Sequence, residues 1–307
     1  MDAFSDIAVF ALIVKHGNLA AAAQELGITP PAVTRRLANL EKRLGVRLLN
    51  RTTRKISLTP EGEQYLMEGV RILDEMNALE GRIGGGSTQP QGTVRLAATL
   101  GFGRTHLAPA LSRFARQHPQ VEVQMHLSDR FVNLVDQGFD VMVRFGDLTD
   151  SRLTARLLAR NSRILCATPA YLASAGVPQH PRDLGKHNCI FIREGDETFG
   201  TWHLRNGELN ETVKVRSNLS TNDGSSALGW ALDGHGILIR SQWEVAAHLR
   251  AGQLVPVLRD WSHPSADIHL VFQAHKQTPA KVRVLVDDLL AAFEAHRKPA
   301  KEPFGAW

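Results

Sequence analysis

Asn18-Leu19-Ala20-Ala21-Ala22-Ala23-Gln24-Glu25-Leu26-Gly27-Ile28-Thr29-Pro30-Pro31-Ala32-Val33-Thr34-Arg35-Arg36-Leu37-Ala38-Asn39-Leu40-Glu41-Lys42-Arg43-Leu44 reads as two short helices joined by a tight turn. Asn18 is suited to cap the first helix, alanine is the best helix former, and Gly27 supplies a left-handed stop. Thr29 offers a second cap, and Pro30 fits the first helical position, where its missing N–H costs nothing. On the second helix Val33, Leu37, Leu40 and Leu44 recur at intervals of 4, 3 and 4, which predicts one buried stripe. The opposite face carries Pro31, Arg35, Ala38 and Lys42, flanked by Thr34 and Asn39. Cations, small residues and hydrogen-bonding groups on one face suit a helix lying in a DNA major groove.

Leu48-Leu49-Asn50, Arg51-Thr52-Thr53-Arg54-Lys55 and Ile56-Ser57-Leu58 follow as a small hairpin with a basic tip. Such a wing would place Arg51, Arg54 and Lys55 against phosphates or a minor groove, where they add affinity that falls with salt. The charge balance supports this. Residues 1–60 hold nine Lys or Arg against four acids, while the remaining 247 residues hold 27 of each. A basic module on a neutral body implies a polyanionic partner. An Ala-rich helix pair with an outer basic face also occurs as a plain solvated scaffold. The Gly turn, the Thr-Pro start and the confinement of charge to this module together favour DNA.

With 307 residues the chain is expected to form two or three domains. Its 43% hydrophobic and 22% charged residues are those of a globular protein rather than a disordered or fibrous one. No apolar run approaches the ~20 residues of a membrane span, and the first residues, with Asp2 and Asp6, lack a signal peptide's basic start. A cytoplasmic location without membrane contact is expected. Two cysteines, Cys166 and Cys189, give no disulfide framework and no paired zinc spacing. A thiol switch between them is disfavoured, because Cys166 lies in an apolar strand pattern and buried thiols are inert. The thirteen histidines form no His-Glu-x-x-His, no Ser sits in Gly-x-Ser-x-Gly, and Gly101-Phe102-Gly103 lacks the third glycine of a dinucleotide fingerprint. Neither catalysis nor a cofactor is expected.

From Thr59-Pro60-Glu61 a long helix starts, on which Tyr65, Gly69, Ile72, Met76, Leu79 and Ile83 repeat as a short heptad seam. The seam suits pairing with a second copy, and equally packing on its own domain. Gly84 to Gly92 reads as a flexible linker. Strand and helix patterns then alternate. Strands are expected at 94–98, 121–127, 141–145, 163–167, 190–193, 237–239 and 268–273, with a hairpin at 201–215. Helices are expected at about 103–117, 131–137, 170–175, 225–232, 242–251 and 279–296. The pattern predicts an α/β body with parallel sheet in two lobes, the second inserted into the first, and a cleft between them.

The residues Gly17 to Leu26, Thr29-Pro30-Pro31-Ala32-Val33-Thr34-Arg35-Arg36-Leu37, Leu40-Glu41, Leu44-Gly45-Val46, Leu48-Leu49, Arg51-Thr52-Thr53-Arg54 and Leu58-Thr59-Pro60-Glu61-Gly62 resemble the LysR-type transcriptional regulators. The resemblance covers essentially the whole chain. It implies an α/β protein with an N-terminal α+β winged helix-turn-helix (1–59), a linker dimerisation helix and hinge (60–91), and a two-lobed periplasmic-binding-protein-like effector domain (92–307). Lobe 1 would take about 92–162 and 267–296, and lobe 2 about 163–266. It further implies a homodimer or dimer of dimers on inverted-repeat promoter DNA, a small-molecule effector in the cleft, and RNA polymerase as an additional partner. Thr29, Pro31, Thr34 and Arg35 fall where the family's base-reading helix sits, and Arg51, Arg54 and Lys55 on its wing. Ile239-Arg240-Ser241 departs from the family, which frequently has a Leu-Pro pair there.

Anions favour helix N-termini that follow strand ends, where unpaired N–H groups and the helix dipole converge. Thr99-Leu100-Gly101-Phe102-Gly103 offers such a place in the first lobe, and Thr221, Asn222 and Asp223 before a helix in the second. The resemblance makes Thr99 and Ser128 effector contacts. Arg144 and Phe145, ending a strand, and Arg193, ending another, add charge and a stacking face. A carboxylate effector is expected, although Asp223 also admits a neutral or mixed-charge one.

Overall fold

The computed structural model describes residues 3–52, 55–83, 90–129, 133–134, 137–146, 153–193, 200–273, 278–298 and 307; for Ala3, Arg51, Thr52, Lys55 and part of the end of the linker helix it describes the backbone alone. The chain divides into two compact units, Met1–Gln89 and Pro90–Trp307.

In the first unit, α1 (Ala3–His16), α2 (Leu19–Glu25) and α3 (Pro30–Leu44) precede a hairpin of β1 (Leu49–Thr52) and β2 (Lys55–Leu58), and α4 (Pro60–Ile83) follows. Asn18 Oδ1 accepts from Ala20 N at 2.7 Å, so the expected cap forms. Thr29 occupies the corresponding extended position before α3, yet its hydroxyl caps nothing; Pro31, the second helical residue, lacks one of the two N–H donors that a cap would take. Gly27 and Gly45 both turn left-handed, at φ +65° and +74°, and end α2 and α3. Val33, Leu37 and Leu40 are buried as the spacing predicts, whereas Leu44 is 36% exposed because it lies in the last turn, beyond the packed face. Sequence reading takes residues 3–16 only as a targeting question. They form α1, whose Val9, Phe10 and Ile13 complete the core, their near-continuous apolar run concealing any period.

The heptad seam on α4 is split. Tyr65 packs edge-on against Phe10, and Gly69 lies so close to Ile7 that a Cβ would come within 2.6 Å of it. Further along, Ile72 and Leu79 are 38% and 42% exposed. The Ile83 side chain lies outside the described residues. At the helix start, Thr59 Oγ1 donates to Arg47 O at 2.8 Å and accepts from Gly62 N at 3.0 Å. Gly62 is pressed on the Leu48 carbonyl, which any Cβ would strike. Gly62→Ala is therefore expected to destabilise this unit by about 2 kcal/mol through overpacking against backbone, read as a lower first transition in thermal unfolding of the full chain. An unchanged transition would show that α4 slides without cost.

The second unit has two five-stranded sheets. One, ordered β4-β3-β5-β14-β6, comprises β3 (Gly92–Ala98), β4 (Val121–Leu127), β5 (Val141–Phe145), β6 (Leu153–Ala159) and β14 (Ile268–Gln273). The other, ordered β11-β8-β12-β7-β13, comprises β7 (Arg163–Ala167), β8 (Cys189–Ile192), β11 (Ser220–Thr221), β12 (Ile237–Ser241) and β13 (Val255–Pro256). A hairpin, β9 (Thr201–Asn206) with β10 (Leu209–Lys214), stands apart from both. The helices are α5 (Leu100–Phe102), which runs through a π-helical turn (Gly103–Leu107) into α6 (Ala108–Gln117), then α7 (Pro169–Ala175), α8 (Gly224–Leu232), α9 (Gln242–Arg250), α10 (Ala280–Ala292) and α11 (Glu294–Arg297). The first helix thus begins at Leu100, not near Gly103, because glycine at 103 lets Leu127 lie directly on the backbone and the helix bulge past it. The predicted helix 131–137 falls mostly outside the described residues.

The sheets are mixed rather than parallel. β3, β4 and β5 run together, but β14 is antiparallel to both β5 and β6. Geometry requires this. The strands of the first sheet end toward the second lobe, so the strand that brings the chain back must run the other way. β6 escapes the sequence pattern because Leu153-Thr154-Ala155-Arg156-Leu157-Leu158-Ala159 lacks alternation and is held in extended form by β14. In the second lobe β12 pairs antiparallel with β7 and parallel with β8. The first lobe's core gathers Val94, Leu96, Phe102, Phe114, Leu285 and Leu289, and the chain crosses between lobes at residues 160–162 and again before 268.

Candidate functional site

On α3, Pro31, Arg35, Ala38, Asn39 and Lys42 are exposed, as is Thr29 just before it. Thr34 is half-buried, and its hydroxyl donates to Pro30 O at 3.0 Å, which leaves only its oxygen lone pairs and methyl for a partner. The other two arginines of this helix turn away. Arg36 Nη1 donates to Ser5 Oγ at 3.2 Å and Arg43 Nη2 to Asp6 Oδ2 at 3.1 Å, both on α1. The four cations of α3 therefore separate into two pairs, Arg36 and Arg43 bonded to α1, and Arg35 and Lys42 on the exposed face. Glu41, which sequence reading passes over, binds Leu48 N at 2.9 Å and Leu49 N at 3.3 Å through Oε1, tying the end of α3 to the hairpin. A lone acid inside a basic helix is the signal that marks it. In the hairpin Thr52 pairs with Lys55 and Arg51 with Ile56. Arg54 and the side chains of Arg51 and Lys55 lie outside the described residues.

In the second unit, the carboxyl ends of β3, β4 and β5 lie side by side, the place where ligands bind open α/β sheets. Thr99 is half-exposed there, and its hydroxyl makes no cap. Ser128 N donates to Ala98 O at 3.0 Å, which brings the backbone of Ser128 next to that of Thr99 at the ends of β4 and β3. The first helical amide is taken, however: Leu100 N donates to Asp129 Oδ1 at 2.9 Å, so the protein's own carboxylate occupies the expected anion position. Gly101 meets the Trp243 ring of α9, across the lobes, where a Cβ would lie 3.1 Å from it. Phe102 is not a cleft wall. It is fully buried at the centre of an aromatic cluster, 5.7 Å from Phe145 and 5.6 Å from Trp243 between ring centroids, because the helix start turns its side chain inward to the sheet. Gly103 is buried under Leu127 and likewise offers no surface. Arg144 is half-buried opposite His269 in the β5–β14 register.

Arg193 follows β8 rather than ending it, donating through N to Thr221 O at 2.7 Å and through Nε to Ser220 Oγ at 3.2 Å. Asp223 N donates to Thr221 Oγ1 at 3.0 Å, and Asp223 Oδ1 caps α8 by accepting from Ser226 N at 2.7 Å. These bonds to Ser226 hold the Asp223 carboxyl below its ordinary range, with help from Arg104 of the first lobe and Arg240. Asn222 is exposed. Behind this turn the Arg240 guanidinium lies directly on Gly224 and pairs with Glu244. Both candidate helix starts thus carry an internal acid, a feature that needs the tertiary structure to see.

The crossovers are pinned. Asn161, buried, donates through N to Asp267 Oδ1 at 2.8 Å and through Nδ2 to Ala266 O at 2.9 Å, while its Oδ1 accepts from Trp243 N at 3.4 Å. Arg160 N donates to His296 O at 2.8 Å, and Trp307 Nε1 donates to Arg160 O at 3.0 Å. His106, packed among Phe102, Trp243 and Trp307, is pushed down to about 4 by burial, with His296 adding to the effect. Burial pushes the Cys166 and Cys189 thiols up to about 12, so neither offers a thiolate near neutral pH. Among the described residues no cluster of His, Cys, Asp or Glu could hold a metal ion, and no helix is long and apolar enough to cross a membrane.

A winged helix-turn-helix on a two-lobed α/β body is the architecture of a ligand-responsive DNA-binding regulator. The sequence model of the bacterial regulatory helix-turn-helix protein, lysR family, matches residues 4–63, and that of the LysR substrate binding domain matches residues 87–294. The chain belongs to the LysR family of transcriptional regulators, and it is a regulator rather than an enzyme. It is 41% identical over 292 residues to the HTH-type transcriptional regulator DmlR of Escherichia coli (strain K12), covering 95% of each chain. To the HTH-type transcriptional activator TtdR of the same strain it is 39% identical over 286 residues, covering 93% of this chain and 92% of TtdR. Among solved structures it resembles CrgA, a LysR-type transcriptional regulator from Neisseria meningitidis, with TM-score 0.59 and 31% identity over 94% of this chain and 98% of that one.

Proposed function

We propose that α3 enters the major groove of inverted-repeat promoter DNA, with Arg35, Thr34, Asn39 and Lys42 toward base edges and Thr29 and Pro31 at the groove entrance. Arg51, Arg54 and Lys55 of the wing bind the phosphates alongside. The carrying observation is the division of cations on α3: Arg36 and Arg43 are held to α1, while Arg35 and Lys42, without an ion pair among the described residues, are exposed on the opposite side of the leucine stripe. Two copies pair through α4, whose exposed Ile72 and Leu79 continue the seam beyond Gly69, and this sets two α3 helices on the two half-sites. RNA polymerase is the further partner through which binding alters transcription.

The effector is a small carboxylate held between the lobes at Thr99, Leu100, Gly101, Ser128, Arg144 and Phe145 on one side and at Arg193, Thr221, Asn222 and Asp223 on the other. Since Asp129 and Asp223 already satisfy the two helix starts, its carboxylate is recognised by the hydroxyls and arginines rather than by the first helical amides. A thermal-shift screen of small mono- and dicarboxylic acids on the full chain is expected to yield a stabilising compound. Thr99→Val should then weaken that compound about fivefold, the worth of one hydrogen bond, with DNA affinity unchanged. An unaltered dose response removes Thr99 from the site, and a screen answered only by uncharged metabolites removes the carboxylate.

A further inference from the structure

The second lobe has a sheet edge like that of the first. β11, β8 and β12 run parallel, so their carboxyl ends, at Thr221, Ile192 and Ser241, lie side by side. Ligands of α/β sheets bind outside such an edge. One cation at this edge is absent from the site as read from the sequence. Arg240 is the last residue but one of β12, on the face that carries Leu238 beneath α8. Next to it, Ser241 Oγ accepts from Asn161 Nδ2 of the crossover at 3.3 Å, and Trp243, at the start of α9, covers Gly101 of the first lobe. Arg240 therefore lies where the second lobe faces the first.

The guanidinium is held along one edge. Nε pairs with Glu244 of α9, and Nη2 rests on Gly224, the first residue of α8, in the space where a Cβ would stand. Among the described residues Nη1 and Nη2 donate to no other group, and 14% of the side chain stays exposed against 9% for Glu244. Asp223, the acid before Gly224, is committed to Ser226 N at 2.7 Å. A buried ion pair adds little stability over an apolar pair of the same volume. What this one supplies is a planar fork with its Nε edge fixed and its Nη end open, the shape that takes a carboxylate in two parallel hydrogen bonds. We propose that Arg240 is a specificity-determining residue of the effector site, binding the effector's carboxylate end-on through Nη1 and Nη2 while Glu244 and Gly224 keep the fork in place. This role rests on the reading of the cleft as a carboxylate site, and it names the group that the second lobe brings to it.

Acetate, lactate, malonate, succinate and glutarate, each beside its uncharged amide, are titrated by calorimetry into the full chain and into two variants. Arg240→Met combined with Glu244→Leu removes the fork without stranding a charge. Gly224→Ala keeps both charges but sets a methyl where the guanidinium lies; since that group is the far end of a flexible side chain, it can move aside and the melting temperature should stay near wild type. The wild type is expected to bind at least one acid in preference to its amide. The combined variant should bind that acid about 10- to 100-fold more weakly, and Gly224→Ala about fivefold, with affinity for the amide and for random DNA duplex little changed. An acid bound alike by the wild type and both variants overturns the role of Arg240 and leaves the carboxylate reading standing. So does an equal weakening of acid and amide accompanied by a fall in melting temperature, the mark of a merely structural pair. A wild-type chain that binds none of the acids, or binds acid and amide equally, defeats the carboxylate reading, and the role of Arg240 with it.

Discussion

Arg35→Ala is expected to weaken binding to a site enriched from random sequence by about 1 to 3 kcal/mol, a factor of roughly 5 to 150, while affinity for random duplex falls far less. The reason lies in its position. Arg35 is exposed on α3, on the far side from Val33 and Leu37, and no internal acid competes for it among the described residues. A guanidinium so placed can give a bidentate contact to one guanine edge, which is where sequence choice is made. Arg54→Ala, on the wing, should by contrast weaken all sequences evenly and reduce the dependence on salt by about one counterion. Gel-shift titrations on enriched and random duplexes at several salt concentrations separate the two. Equal losses on both DNAs for both variants would contradict the division between reading and anchoring.

Arg240→Ala should cost the effector domain about 3 to 5 kcal/mol, because it strands a buried carboxylate. The two side chains are 14% and 9% exposed, and burial already raises the Glu244 carboxyl above its ordinary range, Arg240 opposing that rise and Asp223 adding to it. Without the guanidinium, Glu244 must take up a proton or draw in water, and the surface of Gly224 is left bare. The sign of the pH dependence follows. The folded state then binds a proton that the unfolded state has released above the ordinary value of 4.5, so the loss grows as pH rises through and above that value. Denaturant unfolding of the full chain at several pH values measures it, and Arg240→Met with Glu244→Leu should recover most of the stability. A loss under about 1 kcal/mol at every pH would mean that solvent reaches the pair. The interaction also accounts for the departure at Ile239-Arg240-Ser241, where the chain carries a charge in place of an apolar-proline pair.

Much of the first unit was legible from local chemistry. The Asn18 cap, the left-handed Gly27 and the Pro30 start each act within a few residues, and each forms. Arg35 and Lys42 are seven apart, as are Arg36 and Arg43, so the helical period alone separates them into two stripes. It does not say that the second stripe would find Ser5 and Asp6, which lie 31 and 37 residues away. The effector region was less legible. Thr99 and Ser128 come together as strand neighbours, but Phe102 turns into the core, and Asp129 and Asp223 fill the helix starts that the sequence left open.

Local sequence was enough for the helix-turn-helix, for most but not all of the strands and helices of the two lobes in their order, and for the concentration of positive charge in the first 60 residues. These depend on backbone preference, hydrophobic period and composition, all of which act over a few residues or need no partner. Tertiary structure alone decided the direction of β14, the extended form of β6, the membership of α1 in the core, and which cations remain outward. Each of those is an outcome of contacts between segments tens of residues apart, where the energy comes from burial and pairing across the fold rather than from any local window.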